Sequence, residues 1–216
     1  EQIAEQPAPT AVEHVKGTAG VDVAQTGIQQ NNVVTRGFNN VFSGALLVMV
    51  DNRYARVPSL RFNAYNLIPT PNLDVERIEL VRGPGSALYG PNAAQGVMHI
   101  ITSSPIDDPG TEVTLTSGFR SETPLDERDV YGAEGRGIYQ GVLSSSHRLT
   151  DDVGLRVSGQ WFQGTDSLFV DNFEQAQAQQ NPNNPLIGSR LPTAERWSGE
   201  ARLDFRPWRD GEVIVS

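Results

Sequence analysis

The chain has 216 residues, room for one large domain or two small ones; 38% are hydrophobic, with 21 Gly and 14 Pro, so it is neither collagen-like nor of disordered composition. Its formal net charge is -9 and sixteen of its seventeen basic residues are Arg, which leaves no basic stripe to neutralise a nucleic-acid backbone. Zero Cys excludes a disulfide scaffold, a thiolate metal site and a Cys nucleophile, and no run approaches the roughly 18 apolar residues of a membrane helix. The short, half-apolar strands of a membrane β-barrel stay open.

In chain order, Glu1 to Gly20 is polar and loosely helical around Ala11 to Lys16, with Gly17 and Gly20 closing it. Val21 and Val23 alternate with polar neighbours, and Val33-Val34-Thr35 leads into Arg36-Gly37. Ala45 to Val50 is a continuous apolar run ended by Asp51-Asn52, which predicts a buried strand and a turn. Val75 to Arg82 alternates, with Val75, Arg77, Glu79 and Val81 opposite Glu76, Ile78, Leu80 and Arg82. A Gly/Pro-rich loop from Gly83 to Gly96 follows, then an apolar strand from Val97 to Thr102. Ser103 to Gly110, with two prolines, reads as a linker, so the chain divides into 1–109 and 110–216.

After Gly110 the pattern is longer and alternating. Val113, Leu115 and Phe119 alternate with Thr114, Thr116 and Arg120. Leu155, Val157, Gly159 and Trp161 oppose Arg156, Ser158 and Gln160. Trp197, Gly199, Ala201, Leu203 and Phe205 oppose Ser198, Glu200, Arg202, Asp204 and Arg206, while Gly137 to Leu149 is strand-like without a clear choice of faces. A soluble sandwich would turn the apolar face to a core, and a membrane barrel would turn it to lipid. Connection length separates the two. The links run long (Ser121 to Arg136), short (Thr150 to Val153), long (Gly164 to Glu195) and short (Pro207 to Gly211), the asymmetry of outer-membrane barrels. Trp161, Phe162, Trp197, Phe205 and Trp208 at strand ends fit either an interfacial girdle or ordinary packing. The chain opens Glu1-Gln2-Ile3 without an initiating Met or a basic leader, and Glu212 to Ser216 stops within a strand pattern; it reads as a piece of a longer protein.

Three segments carry a family resemblance. Val33-Val34-Thr35-Arg36-Gly37-Phe38 precedes Leu46-Leu47-Val48-Met49-Val50-Asp51. Ile68-Pro69 leads to Val75-Glu76-Arg77-Ile78-Glu79-Leu80-Val81-Arg82-Gly83-Pro84. Ser86-Ala87-Leu88-Tyr89-Gly90 is followed by Gly96-Val97-Met98-His99-Ile100-Ile101-Thr102. In order and spacing these resemble the plug domain of TonB-dependent outer-membrane receptors, and the strands after Gly110 fall where the barrel of such receptors begins. Asn52 stands where the family has Gly, His99 where it often has Asn, and no TonB box is recognisable in Glu1 to Thr10.

The resemblance implies an α+β plug domain, a small mixed sheet with short helices, followed by about five antiparallel transmembrane strands of an incomplete barrel. About 22 strands are needed to hold such a plug, so the remaining strands would come from sequence beyond this chain. It implies a bacterial outer-membrane location and uptake of a scarce solute of the ferric siderophore, cobalamin or oligosaccharide class. The expected partners are a TonB-type energy-coupling protein, outer-membrane lipid and a small-molecule ligand, with no nucleic acid and no cofactor. A truncated receptor serving as a structural or interaction subunit, or a secreted all-β binding domain, are the rival readings.

By the same resemblance Arg36 and Arg82 pair with glutamates of the inner barrel wall, a contact suited to a bidentate guanidinium. The loop Arg53 to Asn66 would face the ligand. Its Arg53, Tyr54, Arg56, Arg61 and Tyr65 could hold an anionic or aromatic solute, or equally anchor the loop to the barrel. Gly37, Gly83, Gly90 and Gly96 read as turn glycines, since the phosphate-loop and dinucleotide fingerprints are absent from the sequence. His14, His99 and His147 lack metal-ligand spacing, Gly85-Ser86-Ala87 lacks the nucleophile elbow, and Asp107-Asp108 and Asp151-Asp152 read as turn acids. No enzyme and no metal site are expected.

Overall fold

The computed structural model describes residues 10–25, 27–28, 30–35, 45–57, 63–120, 136–165, 180, 193–208 and 211–216. Among the described residues, eleven strands fall into three sheets. β1 (Asp22–Gln25) and β2 (Asn31–Val34) form an antiparallel pair, with Asp22 opposite Val34. β3 (Leu46–Val50), β4 (Arg53–Tyr54), β5 (Val75–Arg82) and β6 (Gly96–Thr102) form a mixed sheet in the order β4-β3-β6-β5. β3 runs parallel to β6 and the other pairs are antiparallel. A third sheet is wholly antiparallel and in sequence order: β7 (Gly110–Arg120), β8 (Arg136–Thr150), β9 (Val153–Thr165), β10 (Thr193–Trp208) and β11 (Gly211–Val215).

The continuous apolar run of β3 is explained by burial on both sides. Leu46, Val48 and Val50 join Val12, Val15, Val33, Met98 and Ile100 in one core, and Leu47 and Met49 join Ala93 and Val97 in another. The first core is closed by a 3-10 helix, Ala11–Val15, whose three apolar residues are buried. Val75 departs from its sequence pattern. A register shift between Val75 and Arg77 turns Val75 into the core with Ile78 and Leu80, while Arg77 and Glu79 stay exposed. The turn Asp51-Asn52 has φ of 44° and 66°, two left-handed residues as a tight hairpin requires. Asn tolerates this conformation, which is why it can stand in the place of Gly.

The third sheet is a wall with its polarity inverted relative to a soluble sandwich. Leu115 and Phe119 are 83% and 84% exposed and Trp197 is 74% exposed, whereas Arg156, Arg202 and Asp204 are 2%, 3% and 0% exposed. The alternation read from sequence in β7, β9 and β10 is therefore present, with the polar side inward against the plug. On the outer face Trp161 and Trp197 are directly paired with ring centroids 5.8 Å apart. Both indole N–H groups donate to Glu195. From Trp197 to Trp208 along β10 the chain rises roughly 36 Å, or roughly 26 Å across a bilayer at a tilt of ~45°, close to the ~25 Å apolar band of an outer-membrane barrel. The sheet is open, with β7 and β11 at its edges. Its β8–β9 and β10–β11 connections are two residues long, and the other two are long, as the sequence pattern indicated.

Candidate functional site: the seam between plug and wall

The inward side chains of β8, β9 and β10 meet the plug along a polar seam. On β9, Arg156 lies 3.3 Å from Asp74 Oδ2 and donates to the Ser103 carbonyl (2.6 Å) and to Thr102 Oγ1 (2.9 Å). Asp74 ends the 3-10 helix Asn72–Asp74, and its Oδ1 accepts from Ser144 of β8. One strand further, Arg202 holds Asp204 bidentately at 2.6 and 2.8 Å and donates to the Thr102 carbonyl (3.2 Å), to Thr102 Oγ1 and, at 3.4 Å, to Asp51 Oδ2. Asp51 in turn accepts from Thr102 N (2.9 Å) and Thr102 Oγ1 (2.8 Å). The Thr102 hydroxyl thus donates once and accepts from both wall arginines, filling its hydrogen-bonding capacity.

Above this cluster the seam continues with Arg53 Nη2 to Glu200 Oε1 (2.9 Å), Thr70 Oγ1 to Glu200 Oε2 (2.8 Å), Gln160 Nε2 to the Pro69 carbonyl (3.1 Å) and Arg196 Nη1 to the Asn66 carbonyl (2.6 Å). Below it, Arg148 donates to the Ile106 carbonyl (2.6 Å), and Arg206 bridges Asp107 and Glu212. The hydrogen bonds from Arg206 hold the Asp107 carboxyl below the usual carboxylate range. Buried ion pairs roughly break even against apolar packing, but lose several kcal/mol when one partner is removed. The seam therefore fixes the register of plug on wall more than it adds stability.

Arg36, Gly37 and Arg61 of the sequence-derived candidates lie outside the described residues. Arg82 is exposed at the end of β5, and its Nη1 donates to the Ala19 carbonyl at 2.5 Å, a contact within the first domain. Arg53 belongs to the seam, as the anchoring alternative would have it. Tyr54 donates to the Tyr89 carbonyl at 3.3 Å, and Tyr65 is buried, which pushes its phenol up. Arg53, Tyr54 and Arg56 rim a cavity of about 250 Å³ with Val50, Ala64 and Ile68 beneath. Gly83, Gly90 and Gly96 have φ of 111°, 81° and 155°. A Cβ on Gly96 would strike the Val81 carbonyl and Thr35 Oγ1, so this position requires Gly. His99, at the family's Asn position, accepts from Asn52 N at 3.2 Å and so supports the same turn.

Sequence reading assigned Arg156, Glu200, Arg202 and Asp204 to the polar faces of their strands but not to plug contacts. The signal was there: guanidinium groups on the lumen side of adjacent strands. What the sequence does not give is the height at which Asp51, Asp74 and Thr102 meet them. The polarity is also mixed. Arg53–Glu200 sets a plug Arg against a wall Glu, whereas Arg156, Arg202 and Arg206 set wall arginines against Asp74, Asp51 and Asp107.

A globular plug seated on the polar face of an antiparallel, outward-apolar wall is the arrangement of part of a plugged barrel. Residues 1–97 match the TonB-dependent Receptor Plug Domain, and in this chain that plug is followed by antiparallel strands arranged like the start of a receptor barrel. It is 35% identical over 121 residues to the vitamin B12 transporter BtuB of Vibrio vulnificus, covering 55% of this chain and 19% of that protein. The fold is similar to that of the copper transporter OprC, at TM-score 0.59 and 17% identity over 96% of this chain and 27% of that one. It is also similar to that of the ferric enterobactin receptor PfeA of Pseudomonas aeruginosa, at 0.57 and 19% over 95% and 30%. The siderophore receptor PirA of Acinetobacter baumannii aligns at 0.53 and 18% over 99% and 37%. The chain spans about a fifth of the BtuB length and about a third of these receptors.

Proposed function

We propose that the chain is the gating part of an outer-membrane receptor that takes up a scarce solute of the siderophore-iron or cobalamin class, with energy from a TonB-type coupling protein. The oligosaccharide class is less favoured, since the relatives above carry cobalamin, copper or siderophores in their names. The observation that carries this reading is the inverted wall: apolar residues outward and buried Arg and Asp inward, bonded to a plug that stands in the lumen. A domain boundary at 109/110 is part of this reading, and the start of β7 at Gly110 supports it. The Arg53–Tyr54–Arg56 rim is the ligand-facing candidate. Arg56 makes no ion pair among the described residues, so its charge is available above an apolar floor. Arg36 and Arg82 remain the candidate partners for wall glutamates elsewhere on the barrel.

The test is uptake of radiolabelled cyanocobalamin and ferric enterobactin by cells carrying the full-length receptor, with and without the energy-coupling protein. Energy-dependent uptake of either supports the reading. A receptor that assembles in the outer membrane and moves neither solute would instead favour a structural or interaction subunit.

A further inference from the structure

The cavity beneath Arg53, Tyr54 and Arg56 carries a charge asymmetry that bears on the kind of solute it takes. In a chain of net charge -9, the sequence from Asn52 to Leu73 holds three Arg and no Asp or Glu. None of the described residues that line the cavity is acidic. Of its two rim arginines, Arg53 is neutralised by Glu200 at 2.9 Å and also donates to the Ser216 carbonyl at 3.3 Å. Arg56 has no counter-charge among the described residues, so the rim keeps one uncompensated guanidinium. One side of the cavity is the run Leu67 to Thr70, between the seam contacts of Asn66 with Arg196 and of Thr70 with Glu200. Arg196 and Glu200 stand in the half of β10 nearer the long β9–β10 connection, the side on which an outer-membrane barrel carries its outer loops.

Size adds a second constraint. A closed apolar cavity of ~150 Å³ takes one benzene ring, so about 250 Å³ takes one substituted ring with its polar groups left at the mouth. Val50, Ala64 and Ile68 supply an apolar floor. Tyr54 is 59% exposed at the rim, and its hydroxyl is tied to the Tyr89 carbonyl, which leaves a ring face for stacking. An uncharged solute seated here would cover the Arg56 guanidinium without supplying a counter-charge, which is unfavourable. An aryl anion satisfies both parts of the site: the ring lies on the floor, and paired oxygens meet the planar guanidinium.

We infer that the cavity seats one ring of an anionic, aryl-bearing iron chelate of the catecholate type, in preference to an uncharged corrinoid or an uncharged hydroxamate chelate. The inference rests on the transport reading above and narrows its solute class. It runs counter to the 35% identity with the cobalamin transporter, because similarity along a plug sequence reports its fold and not the charge at one rim.

The test is equilibrium binding to the purified full-length receptor in detergent, with no energy source. The radiolabelled probes are ferric enterobactin (an anionic catecholate), ferrichrome (an uncharged hydroxamate) and cyanocobalamin (uncharged). Ferric enterobactin should bind about tenfold or more tightly than either uncharged probe. Arg56→Gln should weaken it about tenfold and flatten its salt dependence, Arg56→Lys should restore part of the loss, and both variants should unfold at the parent temperature. Equal or tighter binding of an uncharged probe, no binding of the catecholate, or unchanged affinity in Arg56→Gln overturns the inference. Unchanged affinity with a lowered unfolding temperature would also overturn it, by making Arg56 an anchor to the rest of the wall. Because binding needs no energy, Arg56-dependent binding without uptake would sink the transport reading and leave the inference standing. Energy-dependent uptake of cyanocobalamin alone would do the reverse.

Discussion

Replacing Arg156 by Met removes a guanidinium that is 2% exposed and leaves the Asp74 carboxylate, 1% exposed, with Ser144 as its remaining donor among the described residues. Leaving a buried charge uncompensated costs about 3–5 kcal/mol. Asp74→Leu strands Arg156 in the same way and carries a similar cost. The double variant Arg156→Met/Asp74→Leu abolishes both charges and loses the Ser144, Thr102 and Ser103 hydrogen bonds, about 0.5–1 kcal/mol each. The coupling energy of the pair is then about 3 kcal/mol or more, large for two side chains in direct contact. The assay is thiol labelling of Ser158→Cys, two residues along the same inward face, in each background. Local opening free energy reads directly in the labelling rate, so the single variants label about a hundredfold to a few thousandfold faster and the double variant labels more slowly than either of them. A double variant as open as either single one, or single variants within about 1 kcal/mol of the parent, would refute the role given to the seam.

Three further outcomes follow from particular positions. Gly96→Ala destabilises the plug by roughly 2–4 kcal/mol, because φ of 155° excludes a side chain and the new Cβ meets the Val81 carbonyl; denaturant unfolding of the receptor in detergent measures it. Asn52→Val costs about 1–2 kcal/mol through its left-handed φ of 66°, while Asn52→Gly stays within about 0.5 kcal/mol in the same assay. Asp107 titrates below the ordinary carboxylate range, so its contribution is present above the unfolded value and is lost as pH falls through the lower folded one. The Arg206 bridge should therefore persist in mild acid and weaken with salt, as read by thiol labelling of Ile101→Cys, which lines a cavity together with Arg206, between pH 7 and strongly acid pH.

The fold was legible where a short-range physical rule applied. The β3 run announced burial on both faces, Asp51-Asn52 announced a tight turn, and period-two alternation in β9 and β10 gave the correct faces. The long and short connections then separated a barrel wall from a soluble sandwich. Val75 was placed on the wrong face, since a one-residue register shift leaves no mark in a hydrophobic pattern. The loop proposed to face the ligand was legible only in part: Arg53 binds Glu200 across a sequence separation of 147 residues, which no local spacing encodes. The same holds for Thr102, an ordinary strand-end residue in sequence that proves to be the acceptor shared by Arg156 and Arg202.

All three tryptophans of the chain, Trp161, Trp197 and Trp208, lie on the wall, and the last two are 74% and 66% exposed. Intrinsic fluorescence of the full-length receptor, corrected for tryptophans beyond this chain by replacing these three with Phe, therefore reports what the outer face touches. In liposomes, this three-residue component should be quenched strongly by phospholipids brominated on their acyl chains and only weakly by aqueous iodide. Strong quenching by iodide with no response to the brominated lipid would contradict the account at its base, since the exposed apolar face would then be meeting water.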